Sequence, residues 1–156
     1  MRQTEFIDRA RACERRLYRV ARTMLSREAD CEDAVQEALL RAWERLDTLR
    51  EEAYFETWLI RILINQCKSL RRRRPIAEAE LTEDIPMSPE GEPALLDALM
   101  KLPGKLRIAL ELHYIEGYSV KESSRIMNIP EGTVKWRLSR GRAALKAEME
   151  REEARA

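Results

Sequence analysis

The sequence predicts an all-α protein made of two small helical domains, residues 1–74 and 94–156, joined by an acidic flexible linker over 75–93. Three observations carry this expectation. The chain of 156 residues is 37% charged and 44% hydrophobic with only five glycines, a composition that suits packed helices better than a sandwich, a barrel or a disordered chain. Apolar residues recur at steps of three and four through most of both halves. Charge divides the chain in three: residues 1–74 carry 17 basic against 13 acidic side chains, net +4; residues 75–100 carry none against 7, net −7; residues 101–156 carry 12 against 8, net +4. Two basic domains flanking an acidic connector fit partners that are polyanions, which the overall net charge of +1 conceals.

The first helix is expected from Glu5 to about Met24, with Phe6, Ala10, Cys13, Leu17, Val20, Ala21 and Met24 on its inner face. Asp30 reads as an N-cap, with Glu32 and Asp33 in the first turn of a second helix that runs through Ala34, Val35, Ala38, Leu39, Ala42, Trp43 and Leu46. Thr48 to Ala53 reads as a loop. A third helix starts near Tyr54 or Phe55, buries Phe55, Trp58, Leu59, Ile62 and Leu63, and ends in the run Arg71-Arg72-Arg73-Arg74 before Pro75 stops it. Four prolines and the absence of basic residues mark 75–93 as the linker. Ala94–Leu102 and Lys105–Ile115 follow as two helices broken at Pro103-Gly104, and Glu116-Gly117-Tyr118 makes a turn.

Ser119 and Glu122 have the spacing of a capping box at the head of a short helix from Val120 to Met127. Asn128 tolerates the left-handed backbone of a tight turn, and Pro130-Glu131 opens another helix with proline and an acid at its positive end. Helix, short turn, helix is a geometry that lays its second member in the DNA major groove. That member carries Lys135, Arg137, Arg140, Arg142 and Lys146 against Glu131, with Lys135, Ser139 and Arg142 on one face and Trp136 and Arg140 on an adjoining one. Charge alone would also describe a solvated helix face; the helix and turn that precede it favour nucleic acid.

Enzymatic chemistry finds no support. His113 is the single histidine and reads as structural, with no phosphate-binding glycine loop or nucleophile-base set beside it. Cys13, Cys31 and Cys67 are odd in number and widely spaced, as expected of reduced, mostly buried thiols and not of a disulfide framework or zinc site. Neither metal nor cofactor is expected. The charged N-terminus does not resemble a signal peptide and no apolar run is long enough for a membrane span, so a cytoplasmic protein is expected.

Leu102-Pro103, Arg107, Leu112-His113-Tyr114, Glu116-Gly117-Tyr118-Ser119 and Ile129 to Lys135, with Arg137-Leu138 and Arg140-Gly141-Arg142, resemble the C-terminal domain of extracytoplasmic-function sigma factors. The resemblance implies a helix-turn-helix of four helices that reads the promoter minus-35 element through Thr133, Lys135, Trp136, Ser139, Arg140 and Arg142. Ser123-Ser124 departs from the common Ile-Ala pair, and Trp136 stands where a small serine is common. Asp33 to Glu37 followed by Leu40 to Trp43 resembles the family's docking helix for core RNA polymerase, which implies binding of the beta-prime coiled coil through Asp33, Gln36, Glu37 and Leu40. Phe55, Thr57-Trp58-Leu59, Arg61-Ile62 and Asn65 resemble the segment that recognises and melts the minus-10 element, which implies DNA contacts from Arg61, Asn65, Lys68, Arg71 and Arg72. The acidic residue that many members carry near Ser69 is missing. Implied partners are core polymerase, its beta flap included, and promoter DNA, with an anti-sigma factor as an optional regulator. A helix-turn-helix repressor would account for 94–148 but not for the motifs at 33–43 and 54–65 ahead of an acidic linker.

Overall fold

The computed structural model describes residues 1–73 and 93–155 of the chain, and the expected linker falls almost wholly outside them. The described residues are helical, without a strand, and divide into an N-terminal and a C-terminal unit.

Three helices make the N-terminal unit: α1 (Gln3–Met24), α2 (Glu28–Glu44) and α3 (Phe55–Arg73), each packed on the other two. The seven inner positions expected of α1 are all buried. They meet Cys31, Ala34, Val35, Ala38 and Ala42 of α2, whose small side chains let α1 and α3 come close, and Phe55, Leu59, Ile60, Leu63, Ile64 and Cys67 of α3. Phe6 lies 5.3 Å from the Trp43 ring and 5.7 Å, edge-on, from Phe55, so one aromatic cluster ties all three helices. Arg9 caps the cluster, its guanidinium 4.8 Å from the Phe55 ring centroid while Nη2 donates to the Glu52 carbonyl at 2.7 Å. Arg16 pairs with Glu56.

Three expectations here need correcting. Asp30 is not the N-cap: α2 begins at Glu28 behind Arg27, and Asp30 lies inside the first turn, buried. Leu25 is buried and extended, so the chain re-enters the helix as soon as that side chain is seated, and Glu28 and Asp30 still meet the positive helix end. Leu46 belongs to a separate 3-10 turn, Leu46–Thr48, and the expected loop contains a second such turn, Glu52–Tyr54. Trp58 is half-buried, touching Phe55 at 6.0 Å between ring centroids, and is not a full core residue.

The C-terminal unit holds α4 (Pro93–Met100), α5 (Gly104–Leu110), α6 (Val120–Met127) and α7 (Glu131–Arg155). The helix expected to run to Ile115 widens at Glu111–Ile115 into a π-turn: the Glu116 N–H donates to the Glu111 carbonyl at 2.9 Å and the Tyr118 N–H to that of Leu112 at 3.0 Å. Gly117, at φ 82, turns the chain into α6. Ala98, Leu99, Leu102, Leu106, Ala109, Leu110 and Leu112 form a core against Val134 and Leu138 of α7. Gly141 lets α7 press on α5, since a Cβ there would lie 3.0 Å from Leu110 Cγ. The α7 tail is tied to the end of α4 by the ion pair of Lys101 and Glu152.

Candidate nucleic-acid interface and docking face

On α2 the residues turned away from the core form one stripe. Asp33 and Gln36 are exposed, Glu37 is partly exposed with a carboxylate oxygen 3.2 Å from Arg41 Nε, and Leu40 is 52% exposed. Steps of three and four place them on one face, and Trp43, 42% exposed, extends that face with an aromatic edge. An acidic and amide stripe bordered by solvent-facing Leu40 and Trp43 offers a helix partner both charge and apolar area.

Arg61, Asn65, Lys68 and Arg72 follow one another on α3 at steps of four, three and four, all exposed, with exposed Arg71 beside them. The opposite side of the helix is locked in the core through Leu59, Ile60, Leu63, Ile64 and Cys67, so the basic stripe stands on a fixed support. Arg74, the last of the arginine run, lies outside the described residues.

The helix-turn-helix is built as its sequence spacing requires. Ser119 Oγ accepts from the Glu122 N–H at 3.0 Å while Glu122 Oε1 accepts from the Ser119 N–H at 2.9 Å, a complete capping box. Asn128 adopts φ 56 and ψ 50, and its N–H donates to the Ser124 carbonyl. The Ile129 N–H donates to the same carbonyl at 3.1 Å, and Ser124 Oγ donates to the Ile129 carbonyl. Ser124 thus serves the turn, whereas Ser123 is fully buried and its Oγ finds no partner among the described residues.

Of the residues expected to face the minus-35 element, Lys135, Trp136, Ser139, Arg140 and Arg142 are exposed and Thr133 is partly covered. Two of them are brought together: the Arg140 guanidinium lies 5.8 Å from the centroid of Trp136, which is 60% exposed. Arg142 is engaged elsewhere, its Nη1 donating to the Tyr114 hydroxyl at 2.6 Å. Tyr114 was not among the residues read from sequence as a site, and only its exposure on a folded surface marks it. His113 is partly buried, with Nδ1 2.7 Å from the Tyr118 carbonyl oxygen.

Nothing among the described residues groups three or more metal-ligating side chains. The three cysteines are free and buried, and burial pushes the Cys31 and Cys67 thiols up to about 12. No helix among the described residues is long and apolar enough to cross a membrane.

Comparison with known proteins assigns the two units separately. Residues 10–75 match sigma-70 region 2, and residues 93–145 match sigma-70, region 4. The chain is 32% identical to the ECF RNA polymerase sigma factor SigW of Bacillus subtilis, over 94% of this chain and 90% of that protein. It is 36% identical to the ECF RNA polymerase sigma factor SigM of Mycobacterium tuberculosis over 84% of this chain and 70% of that one. Among solved structures it is similar to the sigma factor RpoE in complex with the anti-sigma factor NepR from Bartonella quintana, with a TM-score of 0.81 and 25% identity over 94% of this chain and 97% of that one. CnrH in complex with the cytosolic domain of CnrY aligns with a TM-score of 0.75 and 28% identity over 96% and 90%. Both regional matches fall on the two units in chain order, and a relative at 32% identity is matched over nearly its whole length, so the chain belongs to the extracytoplasmic-function RNA polymerase sigma factors of the sigma-70 family.

Proposed function

We propose that this sigma factor directs promoter-specific initiation with three surfaces in named roles: the α2 face of Asp33, Gln36, Glu37 and Leu40 docks on core polymerase, the α3 stripe of Arg61, Asn65, Lys68, Arg71 and Arg72 engages the minus-10 element, and Thr133, Lys135, Trp136, Ser139, Arg140 and Arg142 of α7 engage the minus-35 element. The observation that carries it is the coexistence, in one chain, of an acidic stripe with solvent-facing Leu40 and Trp43 on α2 and exposed basic faces on α3 and α7. The first suits a protein partner and the other two suit a polyanion. The chain acts by binding and carries no chemistry of its own. An anti-sigma factor is proposed as its regulator, because RpoE and CnrH are each described in complex with a second protein, in the case of RpoE an anti-sigma factor by name.

Two linked recognition domains held on one polymerase gain affinity through effective concentration. The free protein therefore binds promoter duplex weakly and the holoenzyme binds it tightly. The test is footprinting of promoter DNA with core polymerase, with the protein, and with both. Replacing Asp33 and Glu37 together by arginine abolishes co-purification with core polymerase and leaves the helical circular dichroism unchanged. Undiminished co-purification overturns the α2 assignment, and a tight specific footprint by the free protein favours a repressor.

A further inference from the structure

Tyr114 and Arg142 are separated by 28 residues in sequence and are joined by the fold. Two local features bring them together. The π-turn at Glu111–Ile115 adds a residue to the end of α5 and turns Tyr114 outward, leaving it 53% exposed. Gly141, the residue before Arg142, takes α7 against the Leu110 side chain at a separation no other residue allows without displacement. The ring of Tyr114 is steadied by an edge-on contact with His113, 4.8 Å between centroids, and His113 is itself held by the Tyr118 carbonyl.

We propose that Tyr114 and Arg142 form a two-donor clamp for one backbone phosphate of the promoter duplex, an inference that rests on α7 being the DNA-facing helix. A guanidinium carries five N–H donors, and the bond to Tyr114 uses one. The tyrosine hydroxyl accepts that bond with a lone pair and keeps its own hydrogen to donate. The pair presents a cationic fork and a neutral hydroxyl from two different elements, both exposed, with the long arginine side chain already held in place. Prior ordering of that side chain removes part of the entropy cost of binding. A phosphate is the fitting anion because Arg142 lies about 10 Å along the helix axis beyond Lys135. When a recognition helix enters the groove by its N-terminus, residues that far along meet the sugar-phosphate backbone and not base edges. Tyr114, on the element before the helix-turn-helix, widens that contact beyond α7.

The experiment reconstitutes holoenzyme with wild-type protein, Tyr114→Phe, Arg142→Ala and the double variant, and measures affinity over a salt series on cognate and minus-35-substituted promoters. Tyr114→Phe keeps the ring and removes only the hydroxyl, and is expected to weaken binding about three- to ten-fold, equally on every sequence. Arg142→Ala weakens binding further and flattens the salt dependence by about one counterion. The double variant loses less than the product of the two single losses, because each donor works through the other. Unchanged affinity for Tyr114→Phe, a loss confined to the cognate sequence, or fully multiplicative losses overturn the clamp. Wild-type holoenzyme that binds promoter no better than core alone overturns the function on which the clamp rests, so the two failures are distinct.

Discussion

The helices α3 and α7 are both long, basic and proposed to face DNA, yet they are held in opposite ways. Eight of the nineteen residues of α3 are buried, and its basic stripe is the back of a helix sunk in a three-helix core. Only Val134, Leu138 and Gly141 are buried in the 25 residues of α7. Its position is set at one end by the left-handed Asn128 and the bonds of Ser124, and near its middle by the close approach of Gly141 to Leu110. A binding face can be fixed by burying the side behind it or by fixing the chain that leads into it. The first leaves a periodic trace in the sequence and the second leaves a motif.

The largest effect comes from breaking the α3 support. Leu63 is fully buried at the centre of the N-terminal core, and Leu63→Ala is expected to cost about 2–5 kcal/mol through lost transfer energy and the cavity left behind. Urea unfolding followed by circular dichroism measures it. A cost under about 1 kcal/mol would mean that α3 is not held by burial.

The same core answers to alkaline pH. Burial is the main cause that raises the Cys31 and Cys67 thiols; Arg22 opposes it at Cys31 while Asp30, Glu28 and Glu32 add to it, and at Cys67 the neighbouring Cys31 adds to it while Arg71 opposes it. Unfolded thiols ionise near 9.0 and the folded ones near 12, so the unfolded chain binds fewer protons between those values. The stability these groups contribute is complete below pH 9 and is lost as the pH rises towards 12. Unfolding midpoints between pH 8 and 11 are expected to fall, and Cys67→Ala flattens the fall. An equal fall in that variant would assign the effect to other groups.

Legibility in the sequence follows the same divide. The inner face of α1, from Phe6 to Met24, was readable because one amphipathic helix repeats its instruction every turn. The capping box and Asn128 were readable because each uses residue types selected by backbone geometry. Asp30 was misread because a cap is decided by where the chain becomes helical, and that is set by the burial of Leu25. The π-turn has no composition of its own, since it depends on how Leu112 and Tyr118 are drawn into the core. Tyr114 could not be joined to Arg142 without the tertiary approach at Gly141.

On α7 itself, Arg140→Ala is expected to cost about 1–3 kcal/mol of holoenzyme binding on the cognate minus-35 sequence and to narrow the gap to substituted sequences. Arg140 lies against Trp136 on the exposed face, so Trp136→Ala loosens the same guanidinium and costs about 0.5–1 kcal/mol of that discrimination. Affinities on cognate and substituted duplexes decide it. Equal loss on every sequence for Arg140→Ala would make it a positioning contact and move base reading to Lys135, Trp136 or Ser139.

The smallest effects give the sharpest contrast, because each region carries an asparagine whose replacement by alanine is expected to act with opposite sign. Asn128 sits at φ 56, where a Cβ is strained and asparagine is tolerated better than alanine, so Asn128→Ala destabilises by about 1 kcal/mol. Asn128→Gly removes the strain, and its freedom in the unfolded chain offsets the gain, leaving stability nearly unchanged. Asn65 lies exposed in the interior of α3, where alanine is the better helix former, so Asn65→Ala stabilises by about 0.5 kcal/mol while weakening minus-10 binding. Denaturant melts of the three variants, compared at equal denaturant slope, read these differences. Destabilisation by Asn65→Ala would show that this side chain supports the fold of α3 and is not a free surface group. A neutral Asn128→Ala would show that the turn yields to substitution, and the position of α7 would then depend on Gly141 and the Leu110 contact alone.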